Sequence, residues 1–377
     1  MRLIYLLDRF NTIGGIEKII SEKANAWVEY FNVDVFIIVT YNQDCKQSYF
    51  KLNERIKIVY INEKHRLSTN NPSIRNIKNI ISYSKKIKKI FQTINPDYIF
   101  IPSRVSINKF LVPIISKKTI NIVEFHSSYY SFILAQNRMN FVRKLLLYSM
   151  EYIHRYFDQK FDKIVLLNKD EEAYYNYKNS IVIPNFISDI NSVNLSHKTN
   201  SVIACYRFDK IKRIDLLIQI WEQIDSKING WTLNLYGDGE LFDSIKNEVD
   251  SKTFNNKIVL HGSKKNSEIP YFESKIYTMT SKSESFSMVL LEAQAASVVV
   301  ISFDVPTGPR NILSGKDSFL IKDNDIVEYS NKLLFLMQNE GEREEMAKKA
   351  YNNVQQFSKQ KIMTKWHDLL SSMMQKT

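Results

Sequence analysis

The 377-residue chain is 44% hydrophobic and 24% charged, the balance of a soluble globular protein, and it is too long for one ordinary core, so two domains are expected. No run of about 18 apolar residues could span a bilayer, and Cys45 and Cys205 lack metal or redox spacing, which suits a reducing cytosol. The net charge of +12 is lopsided: residues 1–190 hold 28 Lys and Arg against 17 Asp and Glu, whereas residues 191–377 hold 24 against 23.

"RLIYLL" opens the chain as a buried strand; its apolar run is too short for a signal peptide and meets Asp8 at once. "DRFNTIGGIEKIISEKANAW" then puts Gly14 and Gly15 where a strand turns into a helix. Glycines there admit a ligand to the backbone, and a helix start favours an anion. A third glycine or a Gly-Lys-Ser/Thr would be needed for a dinucleotide or P-loop motif, so a plain tight turn fits equally. Next come the strands "VDVFIIVT", "DYIFI", "INIVEF", "KIVLL" and "SIVI". Between the first two, residues 64–92 carry eight Lys and Arg and no acid. Such a face suits an anionic membrane surface or nucleic acid, or simply a solvated helix. Residues 138–157 mix basic and aromatic residues with leucines, as a second membrane contact or as core. Polar, aperiodic residues 184–200 read as the linker.

The second half repeats the alternation with "SVIACY", "WTLNLY", "KIVLHG", "IYTMT", "VVVIS" and "SFLI". Apolar strands separated by helices mean parallel sheets covered on both faces: two doubly wound α/β domains with a cleft between them. Residues 1–187 form the first domain and 200–357 the second; 358–377 form an amphipathic helix with Ile362, Trp366, Leu369 and Leu370 on one side, which could cross back to the first.

Candidate chemistry lies at the carboxyl ends of the second-domain strands. Arg207 and Lys212 share the loop after "SVIACY" and suit a diphosphate, or face water as surface charge. Gly237 and Gly239 make a tight turn, where Gly237 could let a nucleotide approach the backbone. "SESFSMVLLEAQAA" sets Glu284 in a turn and Glu292 inside an apolar helix, on the order of 9 Å apart along the axis. The amides of Phe286, Ser287, Met288 and Val289 would be first-turn donors of that helix. One acid could hold a sugar's hydroxyls and the other a ribose; alternatively Glu284 is a cap and Glu292 is solvated.

Arg207 and Lys212, the "YGDGE" turn, the Glu-seven-Glu pair and the "FDVPTGPRNIL" loop occur in an order and spacing that resemble the retaining glycosyltransferases of family 4, of the type that builds bacterial surface polysaccharides. "IGGIEK", "IVIPNFIS" and "VEFHSS" extend the resemblance along the chain. It implies a GT-B architecture of two Rossmann-like domains, an N-terminal one for the acceptor and a C-terminal one for a nucleotide sugar. Glu284 and the amides after it would hold the transferred sugar and Glu292 the ribose. Arg207 and Lys212 would carry the diphosphate, faced by Gly14 and Gly15, with His126 near the sugar or serving structure alone. No metal or other cofactor is implied, and Asp323 and Asp325 look like a helix-start loop.

The pattern is broken at Tyr206, Arg213, Ser285, Ser287 and Ser318, where the family commonly has glycine; Arg213 could join the diphosphate site or face water. The resemblance implies transfer of a hexose or N-acetylhexosamine from a UDP-linked donor to a lipid-linked oligosaccharide in capsule, exopolysaccharide or O-antigen synthesis. The enzyme would sit peripherally on the inner face of the cytoplasmic membrane, with no nucleic-acid partner. The rivals are a nucleotide-sugar epimerase on the same fold and a non-enzymatic basic protein binding membranes or nucleic acid.

Overall fold

The computed structural model describes residues 1–11, 14–41, 48–64, 67, 73–136, 140–187, 198–265 and 268–375. Cys45, residues 65–66 and 68–72 of the basic stretch, residues 138–139 and the middle of the expected linker, 188–197, lie outside these. The chain divides into two compact units: Met1–Phe186 together with Lys359–Thr377, and Ile187–Ser358.

In chain order the first unit contains β1 (Arg2–Leu7), α1 (Gly15–Phe31), β2 (Asp34–Val39), β3 (Lys57–Tyr60), α2 (Ile74–Ile94), β4 (Tyr98–Ile101), α3 (Asn108–Ile115), β5 (Ile120–Glu124), α4 (Tyr129–Gln136), α5 (Phe141–Asp158), β6 (Lys163–Leu166), α6 (Lys169–Tyr175) and β7 (Ser180–Val182). Among the described residues its sheet has seven strands in the order β3-β2-β1-β4-β5-β6-β7, every pairing parallel. Parallel strands buried on both faces need unbroken apolar runs, and β1 and β4 supply them with Leu3, Ile4, Tyr5, Ile99 and Phe100, all fully buried. Strand order reverses between β1 and β4, so the loops after β1, β4 and β5 gather at one edge of this sheet.

The second unit contains β8 (Ser201–Cys205), α7 (Ile214–Asp225), β9 (Thr232–Tyr236), α8 (Phe242–Asp250), β10 (Ile258–Gly262), β11 (Ile276–Met279), α9 (Met288–Ala295), β12 (Val299–Asp304), β13 (Ser318–Lys322), α10 (Ile326–Gln338) and α11 (Glu340–Val354). Its described strands run β10-β9-β8-β11-β12-β13, again all parallel. The reversal falls between β8 and β11, so the loops leaving those two strands lie side by side.

The last helix, α12 (Lys359–Met374), packs in the first unit against α1. Ile362, Trp366, Leu369 and Leu370 are buried there, and the Tyr98 hydroxyl donates to the Leu370 carbonyl (2.6 Å). Each such side chain contributes about 1.5–3 kcal/mol by burial, enough to hold a helix this distant in sequence. No helix of the described residues is long and apolar enough to cross a membrane.

Candidate active site

In the second unit, the β8–α7 loop is shaped by Asp209. Its Oδ1 accepts from the amides of Ile211 (2.9 Å) and Lys212 (3.2 Å), while Oδ2 takes Arg207 Nε (2.8 Å). The turn that results leaves the Arg207 side chain 74% exposed and points Lys212 toward the neighbouring β11–α9 loop. There Lys212 Nζ donates to Glu284 Oε1 (2.6 Å), both side chains being mostly screened from water. The Thr307 hydroxyl donates to the Glu284 carbonyl. Gly308, at φ +49°, packs so closely that a Cβ on it would stand 2.5 Å from Glu284 Cβ. The "PTG" segment is therefore the backstop of Glu284.

Arg213 neither joins an anion site nor faces water. It is buried, with Nε on the Thr280 carbonyl (2.7 Å) and Nη2 on the Ser281 carbonyl (3.0 Å) and Asp323 Oδ1 (2.6 Å). Its Nη1 bonds Asn324 Oδ1 (2.8 Å). One guanidinium thus ties the Lys212 loop to the strand end that carries Glu284. Asp323 is spent on Arg213, and Asp325 caps α10 by accepting from the Glu328 amide (3.0 Å). Among the described residues no group of three or more His, Cys, Asp or Glu is placed to hold a metal ion.

Helix α9 begins later than the sequence pattern suggests. Phe286 is buried with its ring 6.0 Å from that of Phe357, which holds the chain extended through Ser287. Met288 and Val289 are then first-turn residues, Ser287 is the N-cap, and Phe286 precedes the helix. The Ser287 hydroxyl is buried with no hydrogen-bond partner among the described residues, an orphan that costs about 1–3 kcal/mol unless a ligand satisfies it. One turn on, Glu292 is half-buried and accepts from the buried Tyr271 hydroxyl (3.2 Å). Burial, reinforced by Glu292, holds that phenol well above its ordinary value, so it stays a donor.

Gly237 has a reason of its own: at φ +134°, a Cβ there would stand 1.9 Å from the Tyr206 carbonyl oxygen. What approaches this backbone is the chain itself, where β8 and β9 deliver adjacent loops.

In the first unit Gly14 is the N-cap of α1 and Gly15 its first residue. A Cβ on Gly14 would lie 2.0 Å from Glu17 Oε2, so the helix's own carboxylate occupies that end. His126 follows β5, with its Nε2 3.3 Å from Glu124 Oε2. Lys23 of α1 is ion-paired with the same carboxylate oxygen, and its Nζ sits 3.9 Å from the centre of the Trp366 ring. Burial would raise the Glu124 carboxyl, but Lys23 and His126 outweigh it and hold it at about 2. An ionised carboxylate only accepts, so the His126 Nε2 carries the proton and Nδ1 is the ring atom left over for other work.

Of the residues singled out from sequence, the structure brings Lys212 and Glu284 into contact and sets Met288, Val289 and Glu292 on one helix behind them. Arg207 it pairs with Asp209 instead. Sequence reasoning passed over Asp209, Tyr271, Thr307 and Gly308, and Lys23 and Glu124 beneath His126. Signals existed for two: an Asp in a short loop after a strand makes Asx turns, and Glu124 is a lone acid in an apolar strand.

Residues 186–353 match the family described as Glycosyl transferases group 1. The match falls almost wholly within the second unit. The chain is 26% identical over 394 aligned residues to the amylovoran biosynthesis glycosyltransferase AmsD of Erwinia amylovora, covering 98% of this chain and 99% of that one. It is 27% identical over 201 residues to the poly(ribitol-phosphate) alpha-N-acetylglucosaminyltransferase of Staphylococcus aureus, spanning 52% of this chain but only 41% of that longer protein. Among solved structures, S. aureus TarM in complex with alpha-GlcNAc-glycerol and UDP superposes with a TM-score of 0.75 at 15% identity, over 98% of this chain and 100% of that one. Sucrose-phosphate synthase of Thermosynechococcus elongatus gives 0.79 at 13% identity, with full coverage of both. The fold is GT-B, and domain match, fold and relatives together support a GT-B glycosyltransferase.

Proposed function

We propose that this GT-B glycosyltransferase is a retaining enzyme of family 4. It moves a hexose or N-acetylhexosamine from a UDP-linked donor to a lipid-linked oligosaccharide during surface-polysaccharide assembly, on the cytoplasmic face of the membrane. The observation that carries the reading is the Lys212–Glu284 contact in front of α9, beside the orphan Ser287 hydroxyl. In this contact the two charges satisfy each other. A donor exchanges that contact for two: its diphosphate takes Lys212, and its sugar hydroxyls take Glu284, which can accept from two hydroxyls at once. Ser287 and the Met288 and Val289 amides complete the sugar and phosphate contacts, Arg207 adds an exposed guanidinium, and Glu292 takes the ribose. Gly14 and Gly15 are assigned to the diphosphate and His126 to the transferred sugar, with no metal required.

In the reaction the bond from the anomeric carbon to the phosphate oxygen breaks, and the acceptor oxygen bonds that carbon on the same face. The acceptor's proton passes to the departing phosphate oxygen, releasing UDP. Arg207 and Lys212 stabilise the charge that grows on the diphosphate, which in a dry site lowers a barrier by several kcal/mol. UDP occupies two of the solved neighbours, TarM and Anabaena HepE, which favours uridine. The alpha linkage in the S. aureus relative's name favours retention, since UDP-sugars of the common hexoses are themselves alpha-linked.

The test is incubation of purified protein with radiolabelled UDP-sugars and lipid-linked acceptor, followed by NMR of the new linkage. Label in the lipid fraction with an alpha linkage is expected, falling about 100-fold or more in Glu284→Ala. Donor consumed without label reaching any acceptor, or a beta linkage, would overturn the reading.

A further inference from the structure

Helix α5 is built inside out. A helix on a globular surface turns its apolar stripe inward, yet the two buried residues of α5 are Glu151 and Asp158, and its apolar residues are at most half-buried. Beneath it Arg104 bonds Glu151 Oε1 (2.6 Å) and Asp158 Oδ2 (3.2 Å), while Lys109 pairs with Asp158 Oδ1 (2.6 Å). Outside, Phe141 is 80% exposed and Tyr152 75%, with Val142, Leu145, Leu146 and Tyr156 also exposed. Single exposed apolar residues mean little, but this many along one 18-residue helix form a patch that a free-standing protein rarely shows water.

Charge says what covers it. Both acids of α5 are buried, so its exposed charge is Arg143, followed by Lys160 just past its end. Helix α3 packs against both α5 and α2, making one layer. On α2, Lys85, Lys88 and Lys89 are exposed and no acid occurs; Lys117 and Lys118 are exposed after α3. A second copy would bring two such basic surfaces together, and a nucleic acid has no use for the leucines. An apolar stripe flanked by cations and tyrosines suits a helix lying in the interface of an anionic bilayer.

We propose that the outer face of α5 docks the first unit onto an anionic lipid surface, its leucines and Phe141 entering the acyl boundary while the α2 and α3 lysines lie among the headgroups. This stands independently of the donor-site reading.

The test is co-sedimentation of the full chain with vesicles of phosphatidylcholine containing about one-third phosphatidylglycerol. Leu145→Ser/Leu146→Ser and Tyr152→Ser leave the charge unchanged and alter only exposed side chains. The wild type is expected to bind, and the double variant to lose about tenfold or more in partitioning. Its melting temperature and its stabilisation by UDP should be unchanged, which separates this outcome from failure of the donor site. Absence of wild-type binding, or binding indifferent to these substitutions, would overturn the proposal. So would a wild-type dimer in sedimentation velocity that the double variant converts to monomer, since a second copy would then be the occupant.

Discussion

Lys212 and Glu284 illustrate how neighbouring strands make a site: β8 and β11 pair in parallel, and the loops they release put an ammonium and a carboxylate in contact across 72 residues of sequence. Arg213 secures that contact, and magnitudes decide what its replacement does. At φ +51° it pays roughly 1–2 kcal/mol for a left-handed backbone that glycine would adopt without strain. Against this stand four side-chain hydrogen bonds of a charged donor, at about 1.5–3 kcal/mol each before loss to solvent. Arg213→Gly should therefore destabilise by about 2–4 kcal/mol in urea unfolding; a neutral or stabilising result would mean that the guanidinium ties nothing together. From sequence, the spacing of Glu284 and Glu292 was visible because it runs along a single loop and helix. The anchoring by Arg213, Thr307 and Tyr271 was not, because each reaches across strands whose register no local pattern encodes.

Helix α5 owes its attachment to charge more than to apolar burial, and that leaves a pH signature. Burial, with Lys109 and Arg104 adding to it, lowers the His154 imidazole to about 4, and its Nδ1 accepts from Lys109 Nζ (2.8 Å). Because the folded value lies below the ordinary one of about 6.5, the unfolded chain takes up the proton first as pH falls. Stability is thus present above about pH 6.5 and lost between there and about pH 4. The contribution is about 1–2 kcal/mol, because water screens the part-exposed ring. His154→Gln, which keeps an acceptor for Lys109, should flatten this part of the profile of melting temperature against pH. An unchanged slope would contradict the assignment. The same helix shows where element-level reading runs out: its leucines fit core or membrane equally well until burial is known. Twelve of the thirteen described strands stood out as apolar runs; β3, a four-residue, half-buried edge strand reading "KIVY", did not.

At the scale of the molecule, two repeats of strand and helix gave the doubly wound architecture away, because parallel sheets demand apolar strands on both faces. Each unit reverses its strand order once, β1 to β4 and β8 to β11, and in the second unit Lys212 and Glu284 meet in the loops leaving β8 and β11. The net of +11 on residues 1–190 belongs with the α2, α3 and α5 layer, not with the loops that carry Lys212 and Glu284. The central claim is that Glu292 and Glu284 read the two ends of one nucleotide sugar. Calorimetric titration of UDP into wild type, Glu292→Ala and Glu284→Ala tests it most directly. UDP should bind the wild type and weaken about tenfold or more in Glu292→Ala. In Glu284→Ala, which releases Lys212, UDP should bind no more weakly than in the wild type, while the added affinity of a UDP-sugar over UDP disappears. No UDP binding by the wild type, or binding lost in Glu284→Ala and untouched in Glu292→Ala, would contradict it.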